Sequence, residues 1–322
     1  MHKGIDQTFR SIVQSFLPNI ILLTKIPSMS GHRRLILVGL LFLLLGIAAG
    51  LRFYNLNWDG GIFAHPDERS TVAFYAPTIQ WPENSADLLD PRFSTLNPFW
   101  NVDRQERRSY TYGHFPLYAL VGFAHILHQL SPAAEGLPFP EAWLEIMAMA
   151  ETGQGYAILG RALMALADLF SVLFVFLIGR RLYGVWGGLL AAAFSTFTVL
   201  QIQLAHFFAV DPISTTFTLL AVFGAMLMYD RQSIWTALLT GVGVGLAVAS
   251  KFSALPVILV PILAGYLAAR QPTARGRTSP LIGLVLVTLG VSFLVFFVTS
   301  PFVLLDFENF QRAVLEEQGN MV

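Results

Sequence analysis

The sequence has no cysteine, which removes disulfides and thiolate metal ligands and leaves the redox compartment open. Charge is scarce as well: 12% of residues are charged, and 20 basic residues balance 20 acidic ones. A chain with no net field lacks the basic surface that holds nucleic acid, so that class of partner is excluded. Any metal would have to use His and carboxylates. The set His65, Asp67 and Glu68 has suitable ligand types but a spacing that matches no strong metal signature, so no metal site is assigned and a divalent cation stays open. What the chain has in place of charge is 55% hydrophobic residues, 27 of them Phe, and a mean hydropathy of +0.60. That is well above the apolar share of a soluble domain.

A bilayer core needs about twenty apolar residues per helix. By that ruler the sequence predicts about seven spans: Leu35 to Leu51, Ile158 to Ile178, Trp186 to about Leu204, Pro212 to Tyr229, Ile234 to Ala249, Ala254 to Ala269, and Leu281 to Thr299. The fold class expected is an all-α polytopic membrane bundle. Basic residues near span ends are retained in the cytoplasm. His32-Arg33-Arg34, Arg180-Arg181, Arg231 and the group Arg270, Arg275 and Arg277 all fall on one side under this count. The connection from Gln203 to Asp211 has no basic residue and suits the opposite face.

Between Arg52 and Ala157 runs a long loop too polar for lipid, rich in Trp, Tyr and Pro. Within it, Phe115 to Leu130 is apolar but short, and it carries His125 and His128. Counting it as a span would send Arg180-Arg181 outside, so it is expected to be an amphipathic helix on the outer surface. Residues 1–34 form a second amphipathic segment, with Phe9, Ile12, Val13, Phe16, Leu17 and Ile20 at helical spacing. They are expected on the cytoplasmic face, followed by one transmembrane domain over 35–322. The charged stretch after Phe310 stops at Val322 with no helix-ending signal, as an N-terminal fragment of a longer protein would.

Just beyond the first span stands His65-Pro66-Asp67-Glu68-Arg69. A carboxylate at the membrane surface can act as a base toward a lipid-borne substrate, so Asp67 or Glu68 is the candidate. On a helix, neighbouring residues point about 100° apart, so only one of the pair can face a given pocket. The same residues are also what a helix start requires, with proline in the first turn and acids complementing the macrodipole. Asp211, preceding Pro212, has the same double reading of helix cap or wall of an outer cavity shared with His206. Lys251 and Arg161 sit at outer span ends and could neutralise a phosphate, or could simply reach toward lipid headgroups. An outer base, outer cations and a lipid-facing cleft together fit a transferase whose donor is a phosphate on a lipid carrier. Asp168 is the main charge that looks internal to a span, as a transport pathway or a polar contact between helices would have it.

These residues resemble the GT-C membrane glycosyltransferases, specifically the group of protein O-mannosyltransferases and aminoarabinose transferases, glycosyltransferase family 39. The resemblance rests on Asp67-Glu68, on Gly113-His114-Phe115-Pro116-Leu117, and on Arg161 heading a span that ends Gly179-Arg180-Arg181-Leu182-Tyr183-Gly184. His206 through Asp211-Pro212 and the turn Ala249-Ser250-Lys251 complete it. It implies a GT-C bundle and a polyprenyl-phosphate sugar donor. It further implies Asp67 as the base with Glu68 supporting it, and donor-phosphate contacts from Arg161 and Lys251. His206, Asp211 and His114 would line the substrate site. The reaction implied is a single inverting displacement onto a protein or lipid hydroxyl, at the outward face of a multi-pass protein in a bacterial plasma membrane. His114-Phe115-Pro116 departs from the double proline usual after that histidine. The competing readings are a transporter or flippase-like protein and an inactive membrane scaffold.

Overall fold

The structure is a computed structural model of the chain, and it describes residues 31–134, 136–271 and 278–320. Nearly all of the amphipathic N-terminal segment, as well as Arg275 and Arg277, lies outside the described residues. The chain divides into two compact units, Met1–Leu43 and Leu44–Val322. Of the first, the described part is the start of helix α1 (Gly31–Phe53).

The segment after α1 turns at Gly60 and Gly61, both at positive φ. It then enters a short helix α2 (Pro66–Ser70), with proline in its first turn and Asp67 and Glu68 at its N-terminal end. The helix runs on as a π turn, Thr71–Tyr75, and a 3-10 turn, Ala76–Thr78. A two-residue antiparallel ladder pairs β1 (Trp100–Asn101) with β2 (Glu106–Arg107). Helix α3 (Phe115–Ala134) buries Leu117, Leu120 and Ala124 and exposes Phe123, Ile126 and Leu130. It is followed by α4 (Glu141–Ala148).

Five described helices are long and apolar enough to cross a membrane: His32–Phe53, Gly153–Phe197, Asp211–Arg231, Phe252–Ala269 and Leu281–Thr299. The architecture is an all-α polytopic membrane bundle. Helix α5 (Gly153–Phe197), begun by a Thr152 hydroxyl that accepts from the Gly155 N–H, consists of two helices joined at Gly184, whose φ is +76°. Only a residue without Cβ takes that conformation readily. The segment predicted to continue to about Leu204 stops at Phe197. Thr198 is extended, and a separate helix α6 (Val199–Ala205) follows.

Helix α7 (Asp211–Arg231) leads into α8 (Ile234–Ser250), which is shorter than the five, and then a 3-10 turn from Phe252 to Ile258 feeds α9 (Leu259–Ala269). Helix α10 (Thr278–Thr299) completes the apolar series. Helix α8 packs on both sides through small residues. A Cβ on Gly243 would meet Ala221 of α7 at 2.7 Å, and one on Gly241 or Gly245 would meet Thr288 or Ser292 of α10 at 2.8 and 2.7 Å. Without a solvent-driven hydrophobic force in lipid, such close backbone approach is what holds helices together.

After α11 (Phe302–Leu305), helix α12 (Phe307–Asn320) returns to the first loop. Asn97 donates to Asp306 (2.8 Å), Ser109 donates to Glu316 (2.7 Å), Arg107 pairs with Glu316, and the Phe310 ring packs among Phe99, Phe252 and Phe307. The charged stretch after Phe310 is thus a docked helix. Asp168, the internal-looking charge, is a contact between helices. The buried Arg52 donates to it through Nε and uses its other nitrogens on the carbonyls of Ala48, Ser195 and Thr196.

Candidate functional site

The end of α1, the starts of α2, α5 and α7 and the end of α8 bring together two charge groups. The first is fully closed. Arg161, buried in the first turns of α5, directs Nε and one Nη2 N–H at Glu68, the other Nη2 N–H and one Nη1 N–H at Asp59 (2.7 and 3.0 Å), and its last N–H at the Leu56 carbonyl (2.7 Å). A guanidinium has five N–H donors. All five are engaged, so none is left for a donor phosphate in this arrangement.

Glu68 is buried too, and its Oε2 also accepts the Phe208 N–H at 2.8 Å. That backbone group is delivered by packing: the Phe208 ring lies where a Cβ on Gly160 would be, 2.7 Å from its nearest atom. Asp59 further accepts the N–H groups of Gly61 and Ala64 (3.2 and 3.3 Å). Burial pushes its carboxyl up, but the Arg161 and backbone hydrogen bonds outweigh this and hold it at about 2. The ring of Trp58 lies under the Arg161 guanidinium at 5.5 Å and its Nε1–H donates to the His206 carbonyl at 3.2 Å.

His206 lies against this group as a bridge. Its Nδ1 is 2.8 Å from the Ile202 carbonyl and its Nε2 2.9 Å from that of Tyr54. Carbonyls only accept, so both bonds form together only on a doubly protonated ring.

The second group is partly open. Lys251, at the end of α8, donates to Asp211 at the start of α7 at 2.7 Å, and both side chains keep over a third of their exposure. Asp211 does not cap its own helix by side chain; the capping position is Val210. Tyr112 stands near both acids at the opening, Asp67 and Asp211. Its phenol lies beside Asp67 and within electrostatic reach of Asp211 and of Glu317 from α12. Burial pushes the Tyr112 phenol up, and the neighbouring Asp67 pushes it further, so the hydroxyl keeps its proton.

The lock on Glu68 therefore separates the adjacent acids. Glu68 faces inward to Arg161, whereas Asp67, half-buried, faces Tyr112. His114 is elsewhere: fully buried, ringed by Phe99, Tyr110, Tyr118 and Phe302, and lowered by burial to about 3, so its imidazole is neutral. Among the described residues no group of three or more His, Asp or Glu side chains could hold a metal ion.

Asp59 and Tyr112 are the two contributors that sequence reasoning did not single out. Asp59 had a faint signal, an acid before a Gly-Gly turn. Tyr112 had none beyond its place next to Gly113.

Comparison with known proteins adds the chemistry. The family described as dolichyl-phosphate-mannose-protein mannosyltransferase matches residues 142–304, a stretch that includes Arg161, His206, Asp211 and Lys251 but not Asp67, Glu68, Tyr112 or His114. No curated protein and no solved structure matches the chain. Because the matched stretch is half of the sequence and is carried on a bundle of membrane-length helices, this chain belongs to the dolichyl-phosphate-mannose-protein mannosyltransferase family, integral membrane glycosyltransferases that use a polyprenyl-phosphate-linked sugar.

Proposed function

We propose that the protein transfers a sugar from a polyprenyl-phosphate donor to a hydroxyl of a protein or lipid acceptor at the outer membrane face, with Asp67 as the base. The observation that carries this reading is the division of labour in the acid pair. With Glu68 held by Arg161, Asp67 is the half-buried carboxylate of the pair that the Arg161 cluster leaves out, beside Tyr112.

In the reaction, the acceptor oxygen attacks the anomeric carbon from the face opposite the phosphate and gives its proton to Asp67. The bond from that carbon to the phosphate oxygen breaks, and the polyprenyl phosphate leaves with its charge opposed by Lys251. One displacement inverts the anomeric centre. Phosphate is a good leaving group, so no strong acid is needed, unlike glycoside hydrolysis with its two carboxyls. The Asp59–Arg161–Glu68 lock holds the start of α2 in place, which keeps Asp67 within reach of the acceptor.

The side assignment is supported by the charges. The site sits where α1 ends, α5 and α7 begin and α8 ends, whereas Arg33-Arg34, Arg231 and Arg270 lie at the opposite ends of their helices. This charge bias supports an outward-facing site, and the resemblance noted above points to a bacterial plasma membrane. Asp168, the charge a transport pathway would need, is neutralised by Arg52.

The test uses membranes containing the protein and a panel of radiolabelled polyprenyl-phosphate sugars, dolichyl-phosphate mannose among them. Label should move to protein or lipid acceptors, and Asp67→Asn should stop it. Transfer at the unmodified rate by Asp67→Asn would overturn the assignment of the base.

A further inference from the structure

Three backbone segments meet beside Tyr112. The Gly113 N–H donates to the Ser250 carbonyl at 3.2 Å. The next N–H, of His114, donates to Ser300 Oγ at 3.0 Å, and the Ser300 hydroxyl donates onward to the Ala249 carbonyl at 3.4 Å. The Tyr110 hydroxyl donates to the Gly113 carbonyl at 3.2 Å. His114, Ser250 and Ser300 are fully buried.

The approach is closer than a side chain permits. A Cβ on Gly113 would lie 1.8 Å from the Ala249 carbonyl oxygen and 2.2 Å from its carbon. The backbone of Gly113 is not in the left-handed region, so glycine is required here by space and not by conformation. The obstructing atoms are main chain and cannot swing aside as a flexible side chain would.

The junction joins the two halves of the site. Tyr112, immediately before Gly113, stands beside Asp67, and Lys251, immediately after Ser250, pairs with Asp211. We infer that Gly113 and Ser300 are positioning residues of the transfer reaction, fixing the distance between the Asp67–Tyr112 half and the Lys251–Asp211 half. This rests on the reading of Asp67 and Lys251 given above. Neither residue touches the reactants. An alanine at position 113 forces its segment and the end of α8 apart by about 1.5 Å, and a misplacement of about 1 Å costs on the order of 100-fold in rate.

The experiment compares the full chain with Gly113→Ala and Ser300→Ala, using the donor and acceptor that give turnover in the Asp67 assay. Binding of dolichyl phosphate and thermal unfolding are measured in parallel. Gly113→Ala should lower kcat on the order of 100-fold while dolichyl phosphate affinity changes less than about threefold, because the Lys251–Asp211 pair does not pass through the junction. Ser300→Ala deletes a hydroxyl without adding bulk, and should lower kcat about tenfold with the same split. It decides the matter if Gly113→Ala does not fold.

Folded Ser300→Ala with the unmodified kcat, or a loss of affinity as large as the loss of kcat, would overturn the inference. If these variants turn over normally while Asp67→Asn is inactive, the positioning role alone fails. If Asp67→Asn turns over normally, the base assignment fails and takes the positioning role with it.

Discussion

Glu68→Gln separates the two adjacent acids by their effects on stability and on turnover. The Glu68 carboxylate accepts from Arg161 on both oxygens and from the Phe208 N–H on one, with no exposure to solvent. Glutamine keeps the shape but turns one acceptor into an N–H₂ group aimed at an N–H donor. It also leaves Arg161 with Asp59 as its remaining carboxylate. Stranding a buried charge outright costs about 3–5 kcal/mol, and hydrogen bonds to charged groups are worth about 1.5–3 kcal/mol each. With Asp59 still in place, the loss should be about 3–4 kcal/mol.

At about 2–4 °C per kcal/mol for a chain of this size, that lowers the unfolding midpoint by roughly 6–16 °C. The measurement is thermal unfolding of the purified protein in detergent, followed by tryptophan fluorescence, because Trp58 sits under the Arg161 guanidinium and reports on this cluster. The companion variant is Asp67→Asn. Asparagine keeps the shape beside Tyr112, so the midpoint should stay within about 2 °C, while transfer falls by the 10²–10⁴-fold typical of a lost general base. A Glu68→Gln protein as stable as the original, or an Asp67→Asn protein destabilised as much, would refute the claim that the lock separates the pair.

Three further outcomes are expected. Folding lowers the Asp59 carboxyl to about 2, below the roughly 3.9 of an unfolded chain. Its contribution is therefore fully present above that unfolded value and fades as pH falls through about 2. Asp59→Asn should remove that part of the acid limb of the stability curve, and identical acid limbs would count against it. Lys251→Met keeps the apolar stem and removes the charge. It should weaken dolichyl phosphate binding about tenfold at low salt and less at high salt, whereas unchanged affinity would discard the phosphate contact. Asp168→Asn leaves the buried Arg52 without a carboxylate and should cost about 3–5 kcal/mol in detergent unfolding, with turnover per folded molecule preserved. A stable Asp168→Asn would mean that the carbonyls of Ala48, Ser195 and Thr196 suffice for the arginine.

Much of the helical layout could be read locally. A run such as Leu281 to Thr299 is too long and too apolar to be anything but membrane-length helix. The signals at Pro66 and Pro212 start helices because proline is pre-set for a first turn. The break at Thr198 was not readable, since the flanking residues stay apolar on both sides of it. Arg161 shows the limit most clearly. Its position at the head of an apolar span marked it as exceptional, but a cation there suits a phosphate or a carboxylate equally well. The choice was made by Asp59 and Glu68, which are about 100 residues away in sequence. His114 shows the same limit, because nothing in its motif tells that four aromatic rings close around it.

The polar composition between Arg52 and Ala157 is what led the sequence reading to expect a loop there, since uncompensated polar backbone and charge are costly in hydrocarbon. The sequence by itself determined the series of membrane-length helices and the presence of an acid pair shortly after the first of them. Which acid is available, which cation is already paired, and how closely Gly113 approaches Ala249 were decided only by tertiary structure. The physical reason is that hydrogen bonds and backbone contacts between segments distant in the chain depend on packing that no local spacing encodes.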